Sequence, residues 1–396
     1  MENKNNSQTR SRLTLVKRIV LLALVAAAFL LQVSDRKIVV APLSFDNAKF
    51  LPGINYPWNH YGSDFGDNPY GHAGVSEPNE AVQVDADFQT MQDHGVEITR
   101  WFVFADARSA IKTAADGTPI GLDDHVFADF DRAIATARNH KVYVVFVLFD
   151  YLLVERTPVG DGRFVGGKRA WIVDARQRKA LIDTVITPLM KRYGKEPIVA
   201  AWEVINEPEW AMRTRLKYKP QQVKIAEMQQ FVSEIAEAIH ADSNRPVTVG
   251  SASPKYVKYW RNVGLDLYQY HYYPKLEGRL YPSGLYSVLG LNLDKPLILG
   301  EFPTNDPPTQ PSDFLSNAMA NGCSGAMGWS LRAADQYSDA QKGLAPLKSF
   351  SSQQSPATKP TPQNGSPNNS VPTPSDPPNS RSGIVLEPPH GYQHPR

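Results

Sequence analysis

Two glutamates stand out in this sequence because each closes an apolar run. Glu207 follows the segment IVAAWEVIN at 198–206, and Glu301 follows PLILG at 296–300. If both runs are strands of one parallel barrel, their carboxyl ends meet at the same face. Two carboxyl groups about 5–5.5 Å apart can cleave a glycosidic bond with retention of configuration. One of them protonates the leaving oxygen, and the other attacks the anomeric carbon.

Other side chains at strand ends would surround this pair. Arg100, in the second apolar run, can keep Glu301 ionised through a charge-assisted hydrogen bond. Asn206 offers an amide to the 2-hydroxyl of a sugar, where hydrogen bonds strengthen in the transition state. Trp58 and Trp329 provide indole rings on which pyranose rings can stack. Asp150 is a third acidic group and a candidate substrate contact.

The elements that must position these residues are visible as short apolar runs that alternate with stretches of helical period. The predicted strands are 50–56, 96–104, 141–149, 198–205, 246–250, 265–271, 296–301 and 324–331. The clearer predicted helices are 80–94, 123–140, 175–193 and 221–241. Asp123 or Asp124 can cap the second helix, and Pro188 should kink the third near its end.

Eight such alternations within about 300 residues predict an α/β fold, a single (β/α)8 TIM barrel with its chemistry at the carboxyl ends of the strands. An open doubly wound sheet is the competing fold. It would need a glycine-rich phosphate turn after the first strand, and Gly53, Gly62 and Gly66 do not have that spacing.

Composition limits the classes of function. The 396 residues carry 42 Lys and Arg against 40 Asp and Glu, so the formal net charge is +2. No basic block follows the first twenty residues, which argues against a nucleic-acid partner. Cys323 is the one cysteine, which excludes an internal disulfide framework and a zinc site built on several thiolates. The sequence therefore predicts neither a metal nor another cofactor, and we expect a monomer.

The two ends differ in composition from the middle of the chain. An apolar run at 19–31 follows a basic start, which predicts a signal peptide or N-terminal membrane anchor over 1–33. This segment would be the only contact with a membrane, and the following residues would lie outside the cytoplasm, secreted, periplasmic or tethered. Residues 351–396 are rich in Pro, Ser and Asn and predict a disordered tail. The catalytic domain is expected at 45–350.

At the strand ends the sequence resembles a known family. WEVINEP at 202–208 and LGEF at 299–302 look like the acid/base and nucleophile motifs of the clan A retaining glycoside hydrolases. Within the clan, Asn-Glu-Pro, the later His271-x-Tyr273 and Trp329 most resemble glycoside hydrolase family 5, which contains cellulases and β-mannanases. The resemblance covers 47–350 in order.

The resemblance implies roles for the matching residues. Glu207 would be the general acid/base, and Glu301 the nucleophile that forms a glycosyl-enzyme intermediate. Arg100 and Tyr273 would hydrogen-bond the nucleophile, and His271 would tune Glu207. Trp329 would form the floor of the subsite that holds the cleaved sugar. The implied activity is an endoglucanase- or mannanase-like hydrolysis of a β-linked polysaccharide of β-1,4-glucan or β-mannan type.

One departure from the family affects the substrate. Cellulases of the family often have a histidine at the end of the third strand, where this chain has Leu148-Phe149-Asp150. This difference weakens the cellulase interpretation and favours mannan or another polysaccharide. Three alternatives stay open at this point: transglycosylation, hydrolysis of an exopolysaccharide that the same bacterial cell makes, and a barrel that binds polysaccharide without cutting it.

Two residues near the motif receive structural interpretations. Glu203 lies on the same predicted strand as the Asn-Glu-Pro motif, and we expect it to point into the barrel or to make a structural bond. Trp210, just after the motif, is interpreted as packing at the rim.

Overall fold

The computed structural model describes residues 40–46, 49–69, 71, 74–159, 162–213, 221–277 and 292–351. Within the unit Ala41–Arg396, eight parallel strands close into a barrel. The predicted TIM barrel is confirmed. The segments predicted as signal or anchor and as tail lie outside the described residues, apart from Ser351, so these predictions stay predictions.

Each of the eight predicted strands is present. The strands in chain order are β1 (Leu51–Ile54), β2 (Ile98–Phe102), β3 (Ile111–Thr113), β4 (Pro119–Leu122), β5 (Tyr143–Asp150), β6 (Thr157–Pro158), β7 (Phe164–Val165), β8 (Val199–Asn206), β9 (Val247–Ser251), β10 (Tyr268–His271), β11 (Leu297–Pro303) and β12 (Gly325–Trp329). The barrel follows the order β1-β12-β11-β10-β9-β8-β5-β2, whereas β3-β4 and β6-β7 are two-stranded sheets in the loops after β2 and β5.

The helices lie between the strands. The α-helices in chain order are α1 (Pro78–Asp93), α2 (Val126–His140), α3 (Arg169–Val173), α4 (Ala175–Leu181), α5 (Thr187–Tyr193), α6 (Ile225–Asp242), α7 (Pro274–Glu277), α8 (Pro311–Ala320), α9 (Ala340–Leu344) and α10 (Leu347–Ser351). Short 3₁₀ helices cover Tyr151–Leu153, Pro208–Ala211 and Pro254–Trp260. No helix among these described segments is long and apolar enough to cross a membrane.

Two local predictions can be compared with the helices. The N-cap position of α2 belongs to His125 and not to Asp123 or Asp124. Asp123 Oδ1 still accepts hydrogen bonds from the backbone N–H groups of His125 and Val126 at the entry to the helix. The predicted helix 175–193 is interrupted earlier than expected, by a π-helical turn at Ile182–Ile186. Pro188 follows in the first turn of α5, where its missing N–H is tolerated.

Layers of side chains fill the barrel. The bottom layer is apolar and contains Ile98, Val145, Ala201, Leu267, Ile298 and Met327. Two residues further along three of these strands, the same face carries Arg100, Glu203 and Gln269, because alternate residues of a strand share a face. A polar layer therefore lies directly above the apolar layer, and it underlies the carboxyl ends of the strands.

Candidate active site

Glu207 and Glu301 lie side by side at the carboxyl ends of β8 and β11. A carboxylate oxygen of each residue and a ring nitrogen of His271 all lie within 4.8 Å of one another. Retaining glycosidases hold their two carboxyl groups about 5–5.5 Å apart, whereas inverting ones leave about 6.5–9.5 Å for a water molecule. The separation therefore fits the retaining arrangement.

The strand pairing on both sides of β11 is irregular near the site, and this affects the orientation of the side chains there. The register between β10 and β11 shifts at Tyr270/His271, and the register between β11 and β12 shifts between Leu299 and Phe302. Such irregularities turn side chains away from the regular alternation. Glu207 itself adopts φ 45° and ψ 47°, a left-handed conformation that is uncommon outside glycine and carries strain.

Glu301 receives two hydrogen bonds. Arg100 Nη1 donates to Oε1 at 2.7 Å, and the Tyr273 hydroxyl donates to Oε2 at 2.8 Å. Burial raises the pKa of Glu301 above its ordinary value, and the nearby Glu207 adds to this shift. The interactions with His271, with the charge of Arg100 and with the Tyr273 hydroxyl oppose it. Both donors stabilise the ionised form, which is the form that attacks a carbon atom.

Glu207 lies in a different environment. Its Oε1 lies 2.8 Å from His271 Nδ1, and its Oε2 accepts a hydrogen bond from Trp210 Nε1 at 2.7 Å. Burial raises the pKa of Glu207 to about 7, although the Trp210 hydrogen bond and the charge of Arg100 act in the opposite direction. A carboxyl group with this pKa holds a proton near neutral pH, as a general acid must.

His271 is neutral at that pH. It is fully buried on β10, and desolvation lowers its pKa to about 4. A neutral imidazole beside Glu207 adds no positive charge, so it does not pull the pKa of that carboxyl group down. His271 therefore leaves Glu207 able to keep its proton.

Asn206 and Asp150 are register partners on β8 and β5. Asn206 Oδ1 accepts from Arg100 Nη2 at 3.1 Å, and its buried Nδ2 has no well-formed hydrogen bond within the described residues. Asp150 accepts from the Tyr61 hydroxyl at 2.8 Å, and burial raises the pKa of Asp150 to about 7. The Asn206 side chain also interacts with Asp150 and opposes the rise of its pKa, so this amide lies between the Asp150 carboxyl group and Arg100.

The two tryptophans predicted as sugar platforms meet at the rim. The ring centroids of Trp58 and Trp329 are 5.8 Å apart with planes at 71°, and Trp329 Nε1 donates to Asp335 at 2.8 Å. Buried Asp64 shapes the loop that follows Trp58, because it accepts from the backbone N–H groups of Asn59 and His60. These two hydrogen bonds hold the backbone of the loop next to Trp58.

A cleft lies above both glutamates, which form part of its lining. Aromatic and hydroxyl-bearing side chains form much of its wall: Trp210, Ser253, Tyr256, Tyr273, Trp329 and Tyr337. Pyranose rings present apolar faces and polar edges, so a wall of this composition suits a sugar.

Sequence reasoning missed two members of the site. Trp210 was predicted to pack at the rim, but it donates a hydrogen bond to Glu207. Glu209 is buried and accepts from Ser251 Oγ, Ala252 N and Trp260 Nε1, so it ties the start of the 3₁₀ helix Pro208–Ala211 to the loop after β9. Both residues directly follow the Asn-Glu-Pro motif, and this position could have indicated a role in the site. The partners of Glu209 are 42 to 51 residues away in the sequence, so its hydrogen bonds could not be predicted.

The trio of Glu207, His271 and Glu301 contains ligand types that can also hold a cation. The nearby Arg100 argues against that use, because its guanidinium already donates to Glu301 Oε1 at 2.7 Å. A metal ion on the same oxygen would lie against a fixed positive charge. The residues fit a site for proton transfer and nucleophilic attack better than a metal site.

Comparison with known proteins points to one group of enzymes. No model of a known protein family matches the chain. The mannan endo-1,4-β-mannosidase of Cryptopygus antarcticus is 24% identical over 345 residues, which cover 76% of this chain and 86% of that protein. The mannan endo-1,4-β-mannosidase 7 of Arabidopsis thaliana is 22% identical over 158 residues, 34% of each chain.

Solved structures agree in fold. The β-mannanase of the blue mussel Mytilus edulis superposes with a TM-score of 0.66 at 21% identity, covering 80% of this chain and 97% of that one. The endo-1,4-β-mannanase of Eisenia fetida gives a TM-score of 0.65 at 21% identity, covering 78% and 95%. The resemblance to the clan A glycoside hydrolases, and within them to family 5, is confirmed. These two solved β-mannanases share the fold of this chain.

Proposed function

We propose that this chain is a retaining glycosidase that hydrolyses β-1,4-linked mannan. Glu207 is the general acid/base, and Glu301 is the nucleophile that forms a covalent glycosyl-enzyme intermediate. Cleavage of the glycosidic bond releases one sugar with the proton of Glu207 on its oxygen. Water then attacks the intermediate and gives its proton back to Glu207. The reaction needs no cofactor.

The observation that carries this proposal is the contrast between the two carboxyl groups, which lie within 4.8 Å of each other. Glu301 is held by a guanidinium and a phenol, whereas Glu207 meets a neutral imidazole and an indole. Two acids in one site with different environments can take the roles of acid and nucleophile.

The supporting residues follow from their contacts. Arg100 and Tyr273 orient Glu301, and His271 tunes Glu207 through its contact with Oε1. Asn206 meets the sugar 2-hydroxyl through its side-chain amide. The remaining substrate contacts are proposed for the rim and for the end of the third barrel strand: Trp58, Trp329 and Asp150.

Mannan is preferred over glucan for two reasons. The relatives named above are mannan-cleaving enzymes, and Asp150 occupies the strand end where family cellulases often have histidine. We also propose that 45–350 forms the catalytic domain, that it acts as a monomer outside the cytoplasm, and that 1–33 exports or tethers it. Separation of secreted, periplasmic and membrane fractions tests the last point.

The experiment is reducing-sugar release by the full chain from β-1,4-mannan, β-1,4-glucan, β-1,3-glucan and xylan. Glu301→Gln serves as the blank, because this variant keeps the shape of the site and removes the nucleophile. We expect release from mannan, a loss of roughly a thousandfold or more in Glu301→Gln, and nearly unchanged mannan binding by the variant. Equal turnover in the blank would overturn the nucleophile assignment.

The same assay separates the alternatives. Products longer than the starting oligosaccharide would indicate transglycosylation. Binding without release, in both the wild type and the blank, would indicate a non-catalytic barrel. No reducing-sugar release from any of the four polymers would favour an exopolysaccharide made by the same cell as the substrate.

A further inference from the structure

Glu203 lies beneath the two glutamates in the polar layer of the barrel, and its side chain is completely buried. Its carboxylate accepts a pair of hydrogen bonds from Arg100: Nε donates to Oε2 at 2.8 Å, and Nη2 donates to Oε1 at 2.7 Å. Gln269 Nε2 donates to Oε2 at 2.7 Å. A bidentate pair of this kind fixes the plane of a guanidinium.

Because Nε and Nη2 of Arg100 bind Glu203, its third nitrogen, Nη1, is the one that binds the proposed nucleophile Glu301. Nη1 donates to Glu301 Oε1 at 2.7 Å and to Asn55 Oδ1 at 2.9 Å. The carboxylates of Glu203 and Glu301 therefore bind opposite parts of one guanidinium. Arg100 carries a single positive charge, so it cannot neutralise both of them.

Two glycines leave space for this layer. A Cβ atom on Gly250 would lie 2.4 Å from Glu203 Oε1 and 3.1 Å from His271 Nε2. A Cβ atom on Gly300 would lie 2.7 Å from the side chain of Gln269. The packing around Glu203 is thus closed, and water cannot easily replace the missing partner if the carboxylate is removed.

We propose that Glu203 is a positioning residue that orients Arg100 toward Glu301 and offsets the positive charge of Arg100 next to Glu207. This inference rests on the roles proposed above for the two glutamates. Glu203 does not touch the substrate in this scheme, because the site residues lie between it and the cleft.

The electrostatic part follows from the groups around Glu207. Those that face it or interact with its charge come from several barrel elements: Arg100 on β2, Asp150 at the end of β5, Tyr151 just after β5, Glu203 on β8, Trp210 in the following turn, His271 on β10 and Glu301 on β11. The charge of Arg100 lowers the pKa of Glu207, and the charge of Glu203 raises it. If the charge of Glu203 is removed, the charge of Arg100 is no longer offset, and the pKa of Glu207 should fall.

The test uses Glu203→Gln, which keeps the size of the side chain and removes its charge. We expect the alkaline limb of the pH profile of kcat/KM on mannan to move down by about one pH unit. Glu203→Asp keeps the charge but shortens the reach to Arg100, so we expect kcat to fall while the limb stays near that of the wild type. The Asp variant also keeps the proposal falsifiable if the Gln variant does not fold, because wild-type kcat in Glu203→Asp would overturn the positioning role.

Glu234→Gln is the matched control. It disrupts another bidentate pair, in which Glu234 on α6 accepts from the nearly buried Arg178 at 2.7 and 2.8 Å, outside the candidate site. We expect lower thermal stability in this variant and no shift of the limb. A uniform loss of activity at every pH in Glu203→Gln, without a shift, would reduce Glu203 to a structural residue and overturn the charge-offset role.

A second readout does not depend on the substrate. Trp210 donates to Glu207 Oε2, so its fluorescence should change as Glu207 titrates. The transition is assigned by its loss in Glu207→Gln, and we expect it at lower pH in Glu203→Gln. A shifted transition without cleavage of any polymer would keep the role of Glu203 and refute the proposed hydrolysis. An unshifted transition would overturn the role of Glu203 even in an active enzyme.

Discussion

The indole nitrogen of Trp210 donates a hydrogen bond to Oε2 of Glu207 at 2.7 Å. The two residues are three positions apart, and the 3₁₀ helix Pro208–Ala211 folds the indole back onto the carboxyl group. This hydrogen bond favours the ionised form of Glu207, while burial favours the protonated form. The balance between them sets the pH at which the proposed acid loses its proton.

Replacement of Trp210 by Phe removes the donor and keeps an aromatic ring. We expect the pKa of Glu207 to rise, so the alkaline limb of kcat/KM should move up by about one pH unit, the equivalent of about 1.4 kcal/mol. Trp171→Phe is the control, because Trp171 donates to the carbonyl of Gly117 outside the site. A downward shift in Trp210→Phe would contradict the argument.

The pH profile of the wild type should reflect opposite requirements of the two glutamates. Glu207 must be protonated, and its pKa is about 7, so mannan hydrolysis should decline as the pH rises through about 7. Glu301 must be ionised, and burial raises its pKa, so the acid limb should lie above the ordinary pKa of a glutamate. Initial rates between pH 4 and 9 at low substrate concentration check both limbs. A rate that stays constant from pH 6 to 9 would argue against Glu207 as the acid.

Replacement of Glu207 by Ala should affect substrates according to their leaving groups. An aryl glycoside with a strongly activated leaving group does not need protonation, so its first step should be spared. Mannan needs the proton, and its hydrolysis should fall by roughly a hundredfold to ten-thousandfold. Pre-steady-state release of the aryl group separates the first step from the second. Equal losses on both substrates would count against the acid role.

Gly250→Ala tests the closed packing below the site. The added Cβ would lie 2.4 Å from Glu203 Oε1 and 3.0 Å from Gln269 Nε2, so the polar layer must shift. A shift of about 1 Å in a catalytic group can cost roughly a hundredfold in rate, which is the loss we expect in kcat.

Gly325→Ala is the control for Gly250→Ala. Its Cβ would lie 2.7 Å from the carbonyl oxygen of Leu51, in the apolar bottom layer of the barrel. We expect a lower unfolding temperature with kcat largely retained. Comparable losses of kcat in both variants would show that general strain, and not the polar layer, limits the activity.

The sequence by itself determined the eight barrel strands and the two glutamates near the carboxyl ends of β8 and β11. Apolar β-branched runs are buried on both faces of a parallel barrel strand, so their pattern is local and strong. The closed parallel barrel then brings the strand ends to one face, which is why Arg100, Asn206 and His271 could be placed near the glutamates before any contact was known.

Only the tertiary structure decided the partners of each carboxyl group. Trp210 reaches Glu207 because a left-handed residue and a 3₁₀ turn reverse the chain, and no periodic pattern encodes that reversal. Glu203 binds Arg100 across the barrel interior, 103 residues away in the sequence. Hydrogen bonds and charge effects depend on distance and burial in three dimensions. The sequence therefore identifies the two acids, whereas the tertiary structure determines the surroundings that favour a proton on one of them and a negative charge on the other.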